Sequence, residues 1–151
     1  WCNDVVLHGK KLCGILTESS LLPDGSAAWL VVGIGVNVGQ ASFPPDIADM
    51  ATSLALQELD VSPDALADAI LAQLTAMRTV LTDPAEWLAE YRRRCVNLGR
   101  PVRVLRGNTV RQATALAIDE QFGLTVQYEN GETETVRSGE VSVRGLYGYI
   151  E

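Results

Sequence analysis

Soft metal ligands are scarce in this 151-residue sequence, which has one histidine and three cysteines. Cys2, Cys13 and Cys95 are odd in number and lack metal-ligand spacing, so with His8 alone beside them no zinc site can be assembled. They read as reduced thiols of a cytoplasmic protein. Basic residues are few as well, 12 Lys and Arg against 19 Asp and Glu, for a net charge of −7. That balance argues against nucleic acid as the principal partner, because phosphate backbones are held by concentrated Lys and Arg. No apolar run approaches the roughly 18 residues of a membrane span. No G-x-S-x-G or Ser/His/Asp set marks a serine hydrolase, and internal repeats are absent. A starting methionine and a signal sequence are lacking too. The chain opens on Trp1 with half of a hairpin, so a preceding N-terminal portion is expected.

What is present is a hydrophobic content of 47%, enough for one good core or two small ones. The apolar run Val5-Val6-Leu7, the turn His8-Gly9-Lys10 and a second run from Lys11 predict a β-hairpin. Hairpin geometry sets Asn3-Asp4 and Lys11 near opposite ends. A twisted sheet with a partner strand is one way to bring them together, and spacing does not decide it. Lys10 faces the other side of the strand from Lys11 and is expected in solvent. Pro23-Asp24-Gly25 marks a turn. The valine-rich run 27–36, broken by Gly33 and Gly35, predicts a central, buried strand. Pro44-Pro45 excludes a helix interior there, and a short helix is expected over 48–59.

Ser62 as N-cap and Pro63 at the first position open a helix with Leu66, Ile70, Leu74, Met77 and Leu81 on one face. Asp83, as cap, and Glu86 open another. Trp87, Leu88, Tyr91 and Cys95 form its buried side, and Arg92-Arg93-Arg94 a solvated end that complements the helix dipole. Asn97-Leu98-Gly99 stops it. From Arg100 the helical period disappears. Strands are expected at 102–106, 110–119, 124–128, 134–137 and 141–143. Their turns are Gly107-Asn108, Gln121-Phe122-Gly123, Asn130-Gly131 (type I′) and Ser138-Gly139. Five short strands in about fifty residues read as a small SH3-like barrel. The fold class is therefore α+β, with a boundary at 97–100 that separates residues 1–98 from 99–151.

Gly33-Ile34-Gly35-Val36-Asn37-Val38-Gly39 has a rival reading as a dinucleotide-binding turn. That reading needs a helix next, which Ser42-Phe43-Pro44-Pro45 blocks, and an acid ending the following strand, which is missing. The glycines instead allow close backbone approach to a flat ligand. Asn37 carries both a donor and an acceptor for the edge of a base, or else forms a strand-end Asx turn.

Three ordered motifs carry a family resemblance over almost the whole chain. W-C-N-D-x₆-K-L-C-G-I-L-T-E at 1–18, V-V-G-I-G-V-N-V at 31–38 and G-E-V-S-V-R at 139–144 resemble signatures of biotin protein ligases. The resemblance implies a partial mixed β-sheet with packed helices, of the kind shared with class II aminoacyl-tRNA synthetases, followed by the SH3-like barrel. It implies ATP-dependent formation of biotinyl-5′-AMP, with Mg²⁺, and transfer of biotin to a lysine of the biotin carboxyl carrier domain of an acetyl-CoA or acyl-CoA carboxylase. Lys11 falls on the catalytic lysine, a point charge suited to the place where two anions meet. Asn3 and Asp4 fall on residues lining the phosphate and acyl region. Asp4 either contacts Mg²⁺ or orients the incoming amine. Gly14, Gly33, Gly35 and Asn37 fall on the nucleotide site, Asn37 as the adenine-binding residue, and Arg103 and Arg144 on phosphate-proximal basic positions, with Glu140 holding Arg144. Cys2 replaces the usual proline, which loosens the loop before Asn3, and Cys13 replaces alanine. The family's Arg/Gly-rich loop and most of its biotin pocket have no counterpart in 1–151, so the segment alone is expected to be inactive. The alternative is a non-catalytic module that docks the carrier or another subunit. Monomer and homodimer both stay open.

Overall fold

The structure is a computed structural model, which describes residues 2–77, 84–137 and 142–145, the last four by backbone alone. Two compact units form, Cys2–Asp60 and Val61 onward. The boundary expected at 97–100 falls inside the second.

In the first unit, β1 (Asp4–Leu7), β2 (Lys10–Leu21) and β3 (Ala27–Val36) make an antiparallel sheet in chain order. The β1–β2 connection is the two residues His8 and Gly9, both at positive φ (48° and 79°), which matches the twist of the flanking strands as a type I′ turn does. The ladder then slips: Val5 lies opposite Cys13 but Val6 lies opposite Lys11, leaving Leu12 as an extra residue. This is a β-bulge. β3 departs from the central, buried strand expected. It lies at the edge of the sheet, and Trp29, Leu30, Val31 and Val32 are all exposed. Its apolar run is two-sided, as expected, but within these residues neither face is covered. The helix expected over 48–59 does not form either. Turns over 45–50 give way to an extended strap whose Ala51 makes a parallel bridge with Lys11, and only Ala55–Gln57 winds into a 3₁₀ turn. The three paired strands are antiparallel throughout, so among the described residues the mixed sheet expected shows a parallel pairing only at that isolated bridge.

In the second unit, α1 (Pro63–Ala76) opens as expected, with the Ser62 hydroxyl accepting from the Ala65 amide. Of its expected apolar face, Leu66, Ile70 and Met77 are half-buried and Leu74 is exposed, while Leu81 lies outside the described residues. α2 (Ala85–Arg94) begins after Pro84, and Asp83 lies outside the described residues. Strands β4 (Pro101–Arg106), β5 (Thr109–Ile118), β6 (Leu124–Tyr128), β7 (Thr133–Val136) and β8 (Ser142–Gly145) form one antiparallel sheet in the order β7-β6-β5-β4-β8. Its core of Val102, Val104, Ala113, Ala115, Ile118, Leu124, Val126, Tyr128 and Val136 is closed on one side by Leu88 of α2, with Tyr91, Cys95 and Phe122 packed around it. Leu88, Tyr91 and Cys95 thus bury the face expected of that helix. Arg92 is not simply solvated, because its Nε donates to the Ile118 carbonyl at 2.9 Å. Arg93 and Arg94 pair with Glu90, which holds that carboxyl down at about 2. At Asn130-Gly131 only Gly131 has a positive φ (84°). The turn is therefore not type I′. Asn130 Oδ1 accepts from the Glu132 amide at 3.1 Å, an Asx turn.

Candidate active site

The bulge at Leu12 makes the site. In a regular strand residues 11 and 14 face opposite sides, because the side-chain period is two. The extra residue turns Lys11 onto the face of its partner Val6, which is also the face of Asp4 and of Gly14 opposite it. Lys11 then lies back over Gly14, where a Cβ would meet its Cε and Nζ at 3.4 Å each. Lys11 Nζ ends 2.6 Å from Asp4 Oδ1, and the two side chains are 38% and 17% exposed. An ion pair this open to water adds less than about 1 kcal/mol to stability. What it supplies is a cation held at the surface in one place. Burial pushes the neighbouring Cys13 thiol up, with the charge of Asp4 adding and that of Lys11 opposing in part. The thiol stays protonated at neutral pH and offers no rival nucleophile.

Gly14 also faces Gly35 on β3, so Asp4, Gly14 and Gly35 stand in one row across three strands. A methyl at Gly33 or Gly35 would come no closer than 3.7 Å to Leu16 O and 3.9 Å to Gly14 O. Packing within the chain does not demand glycine at either position, and the row leaves a bare floor beside the ion pair. Asn37 ends β3. Its Nδ2 donates to the Thr52 carbonyl at 3.0 Å, so the side chain bonds across to the strap and not to its own turn. Asn3 is exposed, with its carbonyl accepting from the Ile15 amide at 2.7 Å. Cys2 has φ +61°, a conformation closed to the proline usual in the resembling motif, whose φ is fixed near −65°.

Lys10, expected in solvent, donates to the Ala48 carbonyl at 3.2 Å, because the strap has come alongside β2. His8 Nδ1 lies 2.6 Å from Gln57 Oε1, and Gln57 Nε2 donates to Thr52 Oγ1 at 2.9 Å. Thr52, Ser53 and Gln57 were not singled out from the sequence. The signal for them was two hydroxyl residues inside an expected helix, where such side chains compete for the backbone. In the second unit Arg103 is half-buried on β4, and the register sets it directly opposite Arg144 on β8. Glu140 lies outside the described residues. Among the described residues no three His, Cys, Asp or Glu side chains group to hold a metal ion. No described helix is long and apolar enough to cross a membrane.

Comparison with known proteins agrees along the chain. Residues 98–144 match the family described as Biotin protein ligase C terminal domain. The chain is 36% identical to the biotin–(acetyl-CoA-carboxylase) ligase of Mycobacterium tuberculosis over 93% of its own length and 51% of that protein. The apo structure of biotin protein ligase from Aquifex aeolicus aligns at TM-score 0.80 and 27% identity, covering 96% of this chain and 63% of that one. The Aquifex aeolicus ligase in complex with biotin and ATP aligns at TM-score 0.78 and 26% identity, over 96% and 60%. The chain spans about half the length of the curated relatives that it matches from end to end. With its α+β sheet unit, its SH3-like barrel and its ordered motifs, the chain is similar over nearly its whole length to about half of a biotin protein ligase, and residues 98–144 carry the match to that family's C-terminal domain.

Proposed function

We propose that this chain carries the nucleotide side of a biotin protein ligase, working in the cytoplasm together with the remainder of a protein of full family length. The observation that carries the reading is the Lys11–Asp4 pair held over Gly14 beside an uncovered glycine floor. In the first step a biotin carboxylate oxygen attacks the α-phosphorus of ATP, a P–O bond forms, and pyrophosphate leaves. Two anions meet there, and Lys11 supplies the fixed positive charge at the bond that forms. In the second step the amine of a carrier-domain lysine attacks the acyl carbon, AMP leaves and a proton is lost. Lys11 then faces the developing charge on the acyl oxygen, and Asp4 orients the lysine and the incoming amine. The base lies over Gly33 and Gly35 against Asn37, with Asn3 at the phosphates.

Mg²⁺, when bound, neutralises phosphate charge. A single nearby carboxylate, Asp4, fits an ion that keeps most of its waters and takes phosphate oxygens as ligands. Arg103 and Arg144, register partners in the barrel ladder, are the two basic residues proposed for phosphate contact. The boundary at 97–100, with the SH3-like barrel as a domain of its own, belongs to the same proposal.

Lys11→Ala, in a protein of full family length carrying these residues, is expected to lower biotinyl-AMP formation by roughly 10²–10³-fold, the scale for removing one electrostatic stabiliser. Turnover within a few-fold of the parent would remove Lys11 from the mechanism.

A further inference from the structure

The segment 50–54 is bonded to both halves of the site at once. On one side, the Lys11 amide donates to the Met50 carbonyl at 2.7 Å and the Thr52 amide donates to the Lys11 carbonyl at 2.8 Å, so both backbone groups of Lys11 end on it. On the other side, the Leu54 amide donates to the Asn37 carbonyl at 3.0 Å, and Asn37 Nδ2 donates to the Thr52 carbonyl at 3.0 Å. Thr52 and Ser53 are 1% and 0% exposed. Their hydroxyls anchor the segment. Thr52 Oγ1 accepts from Gln57 Nε2 at 2.9 Å, while Ser53 Oγ donates to the Gln40 carbonyl at 2.6 Å and accepts from the Leu56 amide at 3.0 Å. Buried polar groups that are fully bonded fix one arrangement, since any shift leaves them unpaired.

The orientation of Asn37 follows. A backbone carbonyl only accepts, so the amino end of the Asn37 amide must face Thr52. Oδ1 and the remaining amide hydrogen are left for a ligand. That edge suits a purine with an exocyclic amine and opposes one with a carbonyl at the same place.

We propose that segment 50–54 is the positioning element of the site, holding the Lys11 backbone and the Asn37 amide in one buried, bonded strap so that base selection and the reacting cation are set together. The inference rests on the ligase reading above and deepens it.

Thr52→Val tests it, since the change keeps the shape and removes the acceptor for Gln57. In a protein of full family length carrying these residues, the KM for ATP is expected to rise roughly five- to tenfold. The preference for ATP over GTP in kcat/KM should fall by a similar factor. Thr52→Ser, which keeps the hydroxyl, should stay within about twofold of the parent. A strap with only a structural role would lower Tm and the active fraction, hence kcat, and leave the ATP KM and the purine preference unmoved; that result overturns the proposal. Should Thr52→Val not fold, Gln57→Leu removes the donor from the half-exposed end of the same bond and carries the same expectation. ATP affinity by calorimetry separates the two levels. A parent that binds ATP but forms no biotinyl-AMP sinks the ligase reading, whereas a working parent whose variants bind ATP unchanged sinks only the strap.

Discussion

The two units hold themselves together by different means. The barrel buries aliphatic side chains against one another: Val102, Ala115, Leu124, Val126 and Val136 are wholly removed from water. The sheet unit leaves Leu16, Trp29, Leu30, Val31 and Val32 exposed, and what it buries completely is Thr52 and Ser53. One unit is closed by non-directional apolar burial, the other is pinned at its site by directional hydrogen bonds. On the ligase reading proposed above, directional bonding at the site has a use, because a cation set against a phosphate loses rate for misplacement on the order of 1 Å.

The largest effect that sharpens this contrast is expected in the barrel. Leu124→Ala removes a fully buried side chain and should destabilise that unit by about 2–5 kcal/mol, read as a lower melting transition. Leu16→Ala, 66% exposed, should change the melting of the same 151 residues by no more than about 0.5 kcal/mol. A second break is at Gly123, where an added Cβ would sit 2.7 Å from Thr135 Cγ2. Gly123→Ala should cost about 1–3 kcal/mol as overpacking without touching nucleotide affinity.

Gly14→Ala is its counterpart in the sheet unit. Its methyl would press on Lys11 Cε and Nζ, so adenylation should fall roughly tenfold, about 1.4 kcal/mol at the barrier, while melting stays near the parent. An unchanged rate would mean that the lysine is not held by its contact with Gly14.

The smallest effect is one of pH. The Asp119 carboxyl accepts from the Gly123 and Gln121 amides at 2.7 and 2.8 Å and pairs with Arg137 at 3.0 Å, which hold it below the usual carboxylate range. Its folded value is depressed, so its contribution is present above the unfolded value near 3.9 and is lost as pH falls through the folded one. Barrel melting should therefore soften in acid, and Asp119→Asn should flatten that dependence. An acid profile identical in Asp119→Asn would assign it to other groups.

Much of the second unit was legible in advance. Its strands begin and end within a residue or two of the expected bounds, because period-two alternation and Gly-containing turns are local signals. Ser62-Pro63 marked its helix start for the same reason. The strand at 27–36 was placed correctly, and among the described residues it stands at the sheet edge and not at the centre expected, since a two-sided apolar run reports its chemistry and not its neighbours. The segment 48–59 was misread as helix. Ala, Leu and Gln there have helical propensity, and the backbone bonds to Lys11 and Asn37 that override it come from residues far off in sequence.

By itself, then, the sequence determined the residue types of the candidate site, the strands that carry them and the family they resemble, because motif order and alternation are written in one dimension. Which side of β2 Lys11 faces was decided by the tertiary structure alone. One unpaired residue, Leu12, inverts the parity of everything before it in the strand, and a ladder with a slip in it exists only once two strands have met. The same holds for the strap. Its hydrogen bonds close only after β2, β3 and the segment between β3 and α1 are brought side by side.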